Sequence, residues 1–146
     1  MKTLLSILCL STWFIAAAPT LAGDLVLEVK GVRSSEGDVY AGVHIPTPGV
    51  KFPAEEGSVH TFKTPARAGT ITVVFKDVPP GEYALTAFHD EDGSGEMNVN
   101  ALGIPTEGYA FGNDATGFMG APKFEDAAVT LAEGAQSVTA SGSMMY

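Results

Sequence analysis

The chain has 146 residues, 17 acidic against 8 basic side chains, a net charge of −9 and 45% hydrophobic residues, which is enough apolar material for one globular core. Lys and Arg form no cluster anywhere, so nucleic acid and anionic lipid surfaces would be repelled, while cations and neutral ligands such as sugars or peptides remain open as partners. With 17 glycines and 9 prolines, few helices would survive.

Lys2 and the apolar run 4–18, closed by Pro19-Thr20-Leu21-Ala22, read as a secretory signal peptide over residues 1–22, cleaved after Ala22. The run is shorter than the roughly 20 apolar residues of a transmembrane anchor. Cys9 lies inside it behind Leu8 rather than a small residue, so lipid anchoring is not expected and the exported part carries no thiol. Without disulfides, stability must come from an apolar core or a bound ion. Residues 23–146 are then expected to be one exported domain.

Leu25, Leu27 and Val29 alternate with Val26, Glu28 and Lys30; Val39, Ala41, Val43 and Ile45 alternate with Tyr40, Gly42 and His44. Both follow the two-residue period of a half-buried strand. Further strands are expected over 58–62, 70–75, 82–88, 127–131 and 137–141, separated by turn-rich segments at 34–38, 46–49, 79–81 and 133–134. This pattern predicts an all-β chain: a single antiparallel β-sandwich, immunoglobulin-like or prealbumin-like, with one long ordered loop. Pro80 and Gly81 suit the two central positions of a type II turn, and Tyr83 just after it is placed to bond its hydroxyl to backbone at the sheet corner.

Residues 89–126 sustain no period, yet Met97, Leu102, Ile104, Tyr109, Phe111, Phe118, Met119 and Phe124 are too apolar for a solvated tail. They are expected to dock this excursion onto the sandwich, with a short strand near 109–111. The excursion opens on His89-Asp90-Glu91-Asp92-Gly93-Ser94-Gly95-Glu96-Met97-Asn98. Asp90, Asp92, Ser94 and Gly95 fall at the first, third, fifth and sixth positions of a calcium loop, in which Asp90, Asp92 and Ser94 ligate by side chain, Glu96 by its carbonyl and Asn98 directly or through water. The twelfth position is Ala101, which excludes a complete EF-hand, and Glu107 is the candidate for the closing carboxylate. Against the metal stands a solvated loop with turns at Asp92-Gly93 and Ser94-Gly95.

Residues 78–131 contain Pro80-Gly81-Glu82-Tyr83-Ala84, His89-Asp90, Gly103-Ile104-Pro105-Thr106-Glu107-Gly108-Tyr109, Phe111-Gly112-Asn113 and Pro122-Lys123-Phe124-Glu125-Asp126-Ala127. In these motifs the chain resembles the bacterial exported proteins grouped as domain of unknown function 2141, with a looser fit through the first strands. It has Asp92, Ser94, Asn98 and Gly112 where that family often has Asn-rich loop positions and a Ser after the Phe, so no ion preference carries over. The resemblance implies an exported β-sandwich module, a periplasmic location with extracellular release as the alternative, and no established activity.

The residues themselves support a non-catalytic binding or accessory module with a calcium-type cation in the acidic loop. A second reading is a carbohydrate- or peptide-binding module with Tyr109, Phe111 and Phe118 as its platform, decided by whether Tyr109 and Phe118 are exposed. A third is a hydrolase using His89, Asp90 and Glu107, which requires the three side chains in one pocket. Adjacent strand residues point to opposite faces, so His89 is expected instead to bond loop backbone. A fourth is an envelope protein whose acidic loop is a solvated turn.

Overall fold

In the computed structural model the described residues are 21–146, so the expected signal peptide lies, apart from its last two residues, outside them. Strands β1 (Gly23–Val32), β2 (Asp38–His44), β3 (Ser58–Pro65), β4 (Gly69–Val78), β5 (Gly81–Asp90), β7 (Ala128–Leu131) and β8 (Ser137–Ser143) fall where alternation and turn residues place them, and β6 (Gly108–Phe111) is the short strand expected inside the aperiodic excursion. Among the described residues the one α-helical element is a single turn, α1 (Phe124–Ala127).

Two sheets form. One has the order β4-β1-β8 and the other β3-β2-β5-β6, with β7 also on β5. The free edge of β5 is shared in tandem: β6 pairs with Thr86 to His89 and β7 with Gly81 to Ala84. The chain between β6 and β7 therefore leaves the sheet and returns to the same edge. Inward residues Leu25, Leu27 and Val29 of β1 meet Val39, Ala41 and Val43 of β2 and Tyr83, Leu85 and Ala87 of β5 in one buried core. Each fully buried aliphatic side chain of this kind contributes about 1.5–3 kcal/mol. The β-sandwich expected from the two-residue period is thus the fold.

Alternation identifies faces and not directions, and one strand pair runs the other way. β8 lies parallel to β1, from Asp24 opposite Ser137 to Lys30 opposite Ser143, while the remaining pairs are antiparallel. Beyond β8 the chain crosses between the sheets: the Met144 amide bonds the Lys30 carbonyl, and Met145 exchanges two backbone bonds with Tyr109.

The turn before β5 corrects one expectation. The positive φ (56°) belongs to Asp77, and Gly81 is already extended strand. Gly81 is nevertheless needed for a close approach, because a Cβ there would lie 3.1 Å from the Tyr83 hydroxyl. Tyr83 crosses over it and donates to the Pro79 carbonyl at 2.9 Å, the corner bond anticipated from its position.

Candidate functional site

Asp90 is the last residue of β5, opposite Asp38 of β2, and is 0% exposed. Its Oδ1 accepts the Ser94 amide at 3.0 Å and its Oδ2 the Gly95 amide at 2.9 Å. Glu107, just ahead of β6, is 5% exposed, and its Oε1 and Oε2 accept the amides of Glu91 and Asn98, both at 3.1 Å. Asp92 is exposed; its Oδ1 accepts the Ser94 amide at 3.0 Å and its Oδ2 the Asn98 side-chain amide at 2.7 Å. The Ser94 amide and hydroxyl hold the Asp92 carboxyl below its ordinary range.

One carboxylate oxygen from each of Asp90, Asp92 and Glu107 lies within 4.8 Å of the others. Two oxygens at calcium distance, about 2.4 Å from one ion, lie at most about 4.8 Å apart, so this spacing suits a hard cation. Each carboxylate has about four lone-pair positions, which leaves capacity beyond the amide bonds. Among the described residues the ion pairs of Lys and Arg are Arg33–Glu91 and Lys63–Asp38, so none reaches these three carboxylates. Of the other residues in the sequence-derived set, the Ser94 hydroxyl bonds the Glu96 carbonyl at 3.1 Å, and Asn98 faces Asp92 through its amide nitrogen.

His89 is separate from this group. It is fully buried; its Nε2 donates to the Glu36 carbonyl at 2.8 Å, as the carbonyl can only accept. Nδ1 then accepts from the Tyr146 hydroxyl at 3.0 Å, and that hydroxyl accepts the Arg33 amide at 2.9 Å. This is the backbone-bonding role expected for the residue. The triad of His89, Asp90 and Glu107 imagined for a hydrolase is not assembled: both imidazole nitrogens are occupied, and the two carboxylates bond loop amides instead.

The sequence reading missed the neighbours that fix His89. Arg33 grips Glu91 with two guanidinium nitrogens and places its guanidinium carbon 4.2 Å from the centroid of the Tyr146 ring. The Arg33 contact holds the Glu91 carboxyl below its ordinary value, with the Ser34 hydroxyl adding to the effect. Arg33, Glu91 and Tyr146 are far apart in sequence, and no local spacing joins them.

The aromatic residues divide. Phe111 is buried, and Tyr109 and Phe124 are partly buried against it in a second apolar cluster with Phe52. Phe118 is 96% exposed and Met119 92% exposed, and Leu102 and Ile104 are exposed as well, so these four do not dock the excursion. Segment 98–106 is instead held by its own backbone and by Asn100, whose Oδ1 accepts the amides of Leu102 and Ile104.

No curated protein and no solved structure matches the chain. Residues 27–139, most of the chain and including both strands that flank the acidic loop, match the family described as "Uncharacterized protein conserved in bacteria (DUF2141)", and the chain belongs to that family.

Proposed function

We propose that this chain is an exported, non-catalytic binding or accessory module whose acidic loop takes a calcium-type cation through Asp90, Asp92 and Glu107. The observation that supports this is the burial of Asp90 and Glu107 beside Asp92, with no basic side chain paired to any of the three among the described residues. Buried like charges repel and are poorly solvated, and a divalent ion relieves both costs. An irregular loop with only oxygen donors suits the variable, six- to eight-fold coordination of calcium better than the strict octahedron of magnesium. The Ser94 hydroxyl, the Glu96 carbonyl, the Asn98 side chain and water are the donors available to complete the set. The periplasm is the proposed compartment, on the strength of the leader-like residues 1–22 and the family resemblance.

The test is the thermal midpoint of the chelator-stripped protein with and without millimolar calcium, with magnesium as control and Asp92→Ala and Glu107→Gln alongside. Free ion at 100 times the dissociation constant adds about 2.7 kcal/mol, or roughly 8–14 °C for a domain of this size. A calcium-selective rise that both variants lose supports the reading. No rise at any calcium concentration overturns the cation and leaves the loop held by its hydrogen bonds alone.

A further inference from the structure

The second sheet has an outer face turned away from the core, and strand register lays its side chains out in rows. Tyr40, Phe88 and Tyr109 form one row across β2, β5 and β6, with Lys63 of β3 at its end. Thr61, Gly42, Thr86 and Phe111 form the next, and His44 lies opposite Ala84 in the third. The Tyr40 and Phe88 rings stack with centroids 4.8 Å apart and planes 5° from parallel, making a wall. On the far side His44 meets the edge of Phe52 at 5.3 Å, and Phe52 packs on Phe111 at 5.7 Å.

Between these walls the floor is Gly42 and Thr86, both small. A Cβ at Gly42 would stand 2.8 Å from Thr86 Oγ1 and 3.1 Å from His44 Nε2, so the hydrogen bond between those two atoms, 3.1 Å long, fills the floor at that point. Segments 97–105 and 117–121 rise on either side and turn the trough into a cleft of about 960 Å³. That is the size of a small-molecule site.

The lining specifies the chemistry of an occupant. Among the described residues its polar side chains are the hydroxyls of Ser58, Thr61 and Thr86, the tyrosine hydroxyls, His44 and the single carboxylate Glu55, with no Lys, Arg, Asp, Asn or Gln. Lys63, at the end of the aromatic row, is paired with Asp38 at 2.8 Å. Burial pushes the His44 pKa down, which removes it as a cation at neutral pH. An anion therefore finds hydroxyl donors but no cationic partner in the lining. A sugar finds stacking surface but few of the planar amides and carboxylates that bind its ring hydroxyls. The lips are apolar and uncovered: Leu102 and Ile104 on one side and Met119 on the other line the cleft and face solvent. Exposed apolar side chains continuous with an apolar cleft mark a surface that a ligand covers.

We propose that this trough binds an uncharged, predominantly apolar small molecule, a neutral lipid-like amphiphile with one chain or fused-ring body between the aromatic walls and its polar group at the Thr86–His44 pair. The inference rests on the binding-module part of the proposed function and not on the cation.

The experiment titrates the protein with N-phenyl-1-naphthylamine, an uncharged apolar fluorophore, in chelator and again in calcium, followed by competition with a monoacylglycerol and with maltohexaose. Gly42→Val fills the trough; because it crowds Thr86 and His44, the double variant Ile104→Asp with Met119→Asp, confined to the exposed lips, is measured beside it with thermal midpoints. The expected result is saturable one-to-one uptake displaced by the monoacylglycerol, weakened at least tenfold in the lip variant at unchanged midpoint. Absence of saturable uptake overturns the proposal, as do uptake indifferent to the lip variant and displacement by maltohexaose alone. A calcium-dependent midpoint without probe uptake would retain the cation and remove this ligand class; uptake without a calcium effect would do the reverse.

Discussion

Tyr146→Phe isolates one hydroxyl. Tyr146 is 47% exposed, so a surface reading predicts a change within about ±0.5 kcal/mol. The hydrogen bonds predict more. His89 is fully buried and its Nδ1 has Tyr146 as its partner, so removing the hydroxyl strands a buried acceptor at a cost of about 1–3 kcal/mol. The Arg33 amide, which also loses the hydroxyl, lies where water can replace it and adds little. The phenyl ring keeps its place under the Arg33 guanidinium, so packing is preserved. At roughly 3–5 °C per kcal/mol for a domain of this length, the midpoint should fall by about 3–15 °C. Urea melts at two wavelengths would give the free energy, and a cycle with His89→Phe should show that most of the loss is shared by the two residues. A fall under about 1 °C, or additive losses in the cycle, would refute the claim that this hydrogen bond fastens the end of the chain to the second sheet.

Leu85→Ala, at a fully buried position between the sheets, should cost about 2–5 kcal/mol in urea melts, and a smaller loss would mean the core collapses around the gap. The His44 pKa is lowered from its ordinary 6.5 by burial, so the unfolded chain binds the proton more readily; its contribution to stability is present above pH 6.5 and is lost as pH falls toward the folded value. The wild-type stability curve should slope by at most about 1.4 kcal/mol per pH unit there, and His44→Gln should remove that slope whatever it does to the midpoint. Glu91 is depressed below 4.5 chiefly by the Arg33 guanidinium, so its contribution is present above pH 4.5 and is lost as acid titrates it in the fold. Arg33→Met should flatten the acid limb of the stability curve below that pH, and an unchanged limb would show the pair to be dispensable.

The sandwich was legible because its signal is local. Leu25, Leu27 and Val29 declare their face from their own spacing, as do Val39, Ala41 and Val43, and the structure buries all six. Direction is not carried by that spacing, so the parallel pairing of β8 with β1 could not be read from it. In the acidic loop, Asp90 and Asp92 were legible through a fixed offset, whereas Glu107 was a candidate that no spacing singled out. Their hydrogen bonds to loop amides were not legible, because those depend on how the loop closes. The cleft was hidden for a related reason. Tyr40, Phe88 and Tyr109 become neighbours only through the register of three strands, and hydropathy alone marked Leu102, Ile104, Phe118 and Met119 for burial without naming what would bury them.

For Leu102 and Ile104 the exposure has a physical cause in the way segment 91–107 is ordered. Apolar docking was the expected anchor, but carboxylates do the work: Asp90 and Glu107 together accept the amides of Glu91, Ser94, Gly95 and Asn98. Hydrogen bonds to a charged acceptor contribute about 1.5–3 kcal/mol each, enough to offset ordering entropy of about 1–2 kcal/mol per residue over several positions. A loop held this way does not have to bury its own apolar side chains to keep its shape. Leu102 and Ile104 are therefore free to stand at the lip of the cleft, on a segment whose base is fixed by Glu107 and by the bridge between Val99 and Pro105. The same buried carboxylates that crowd negative charge at the end of β5 hold one wall of the apolar trough in position, so the acidic loop and the cleft belong to one structural unit.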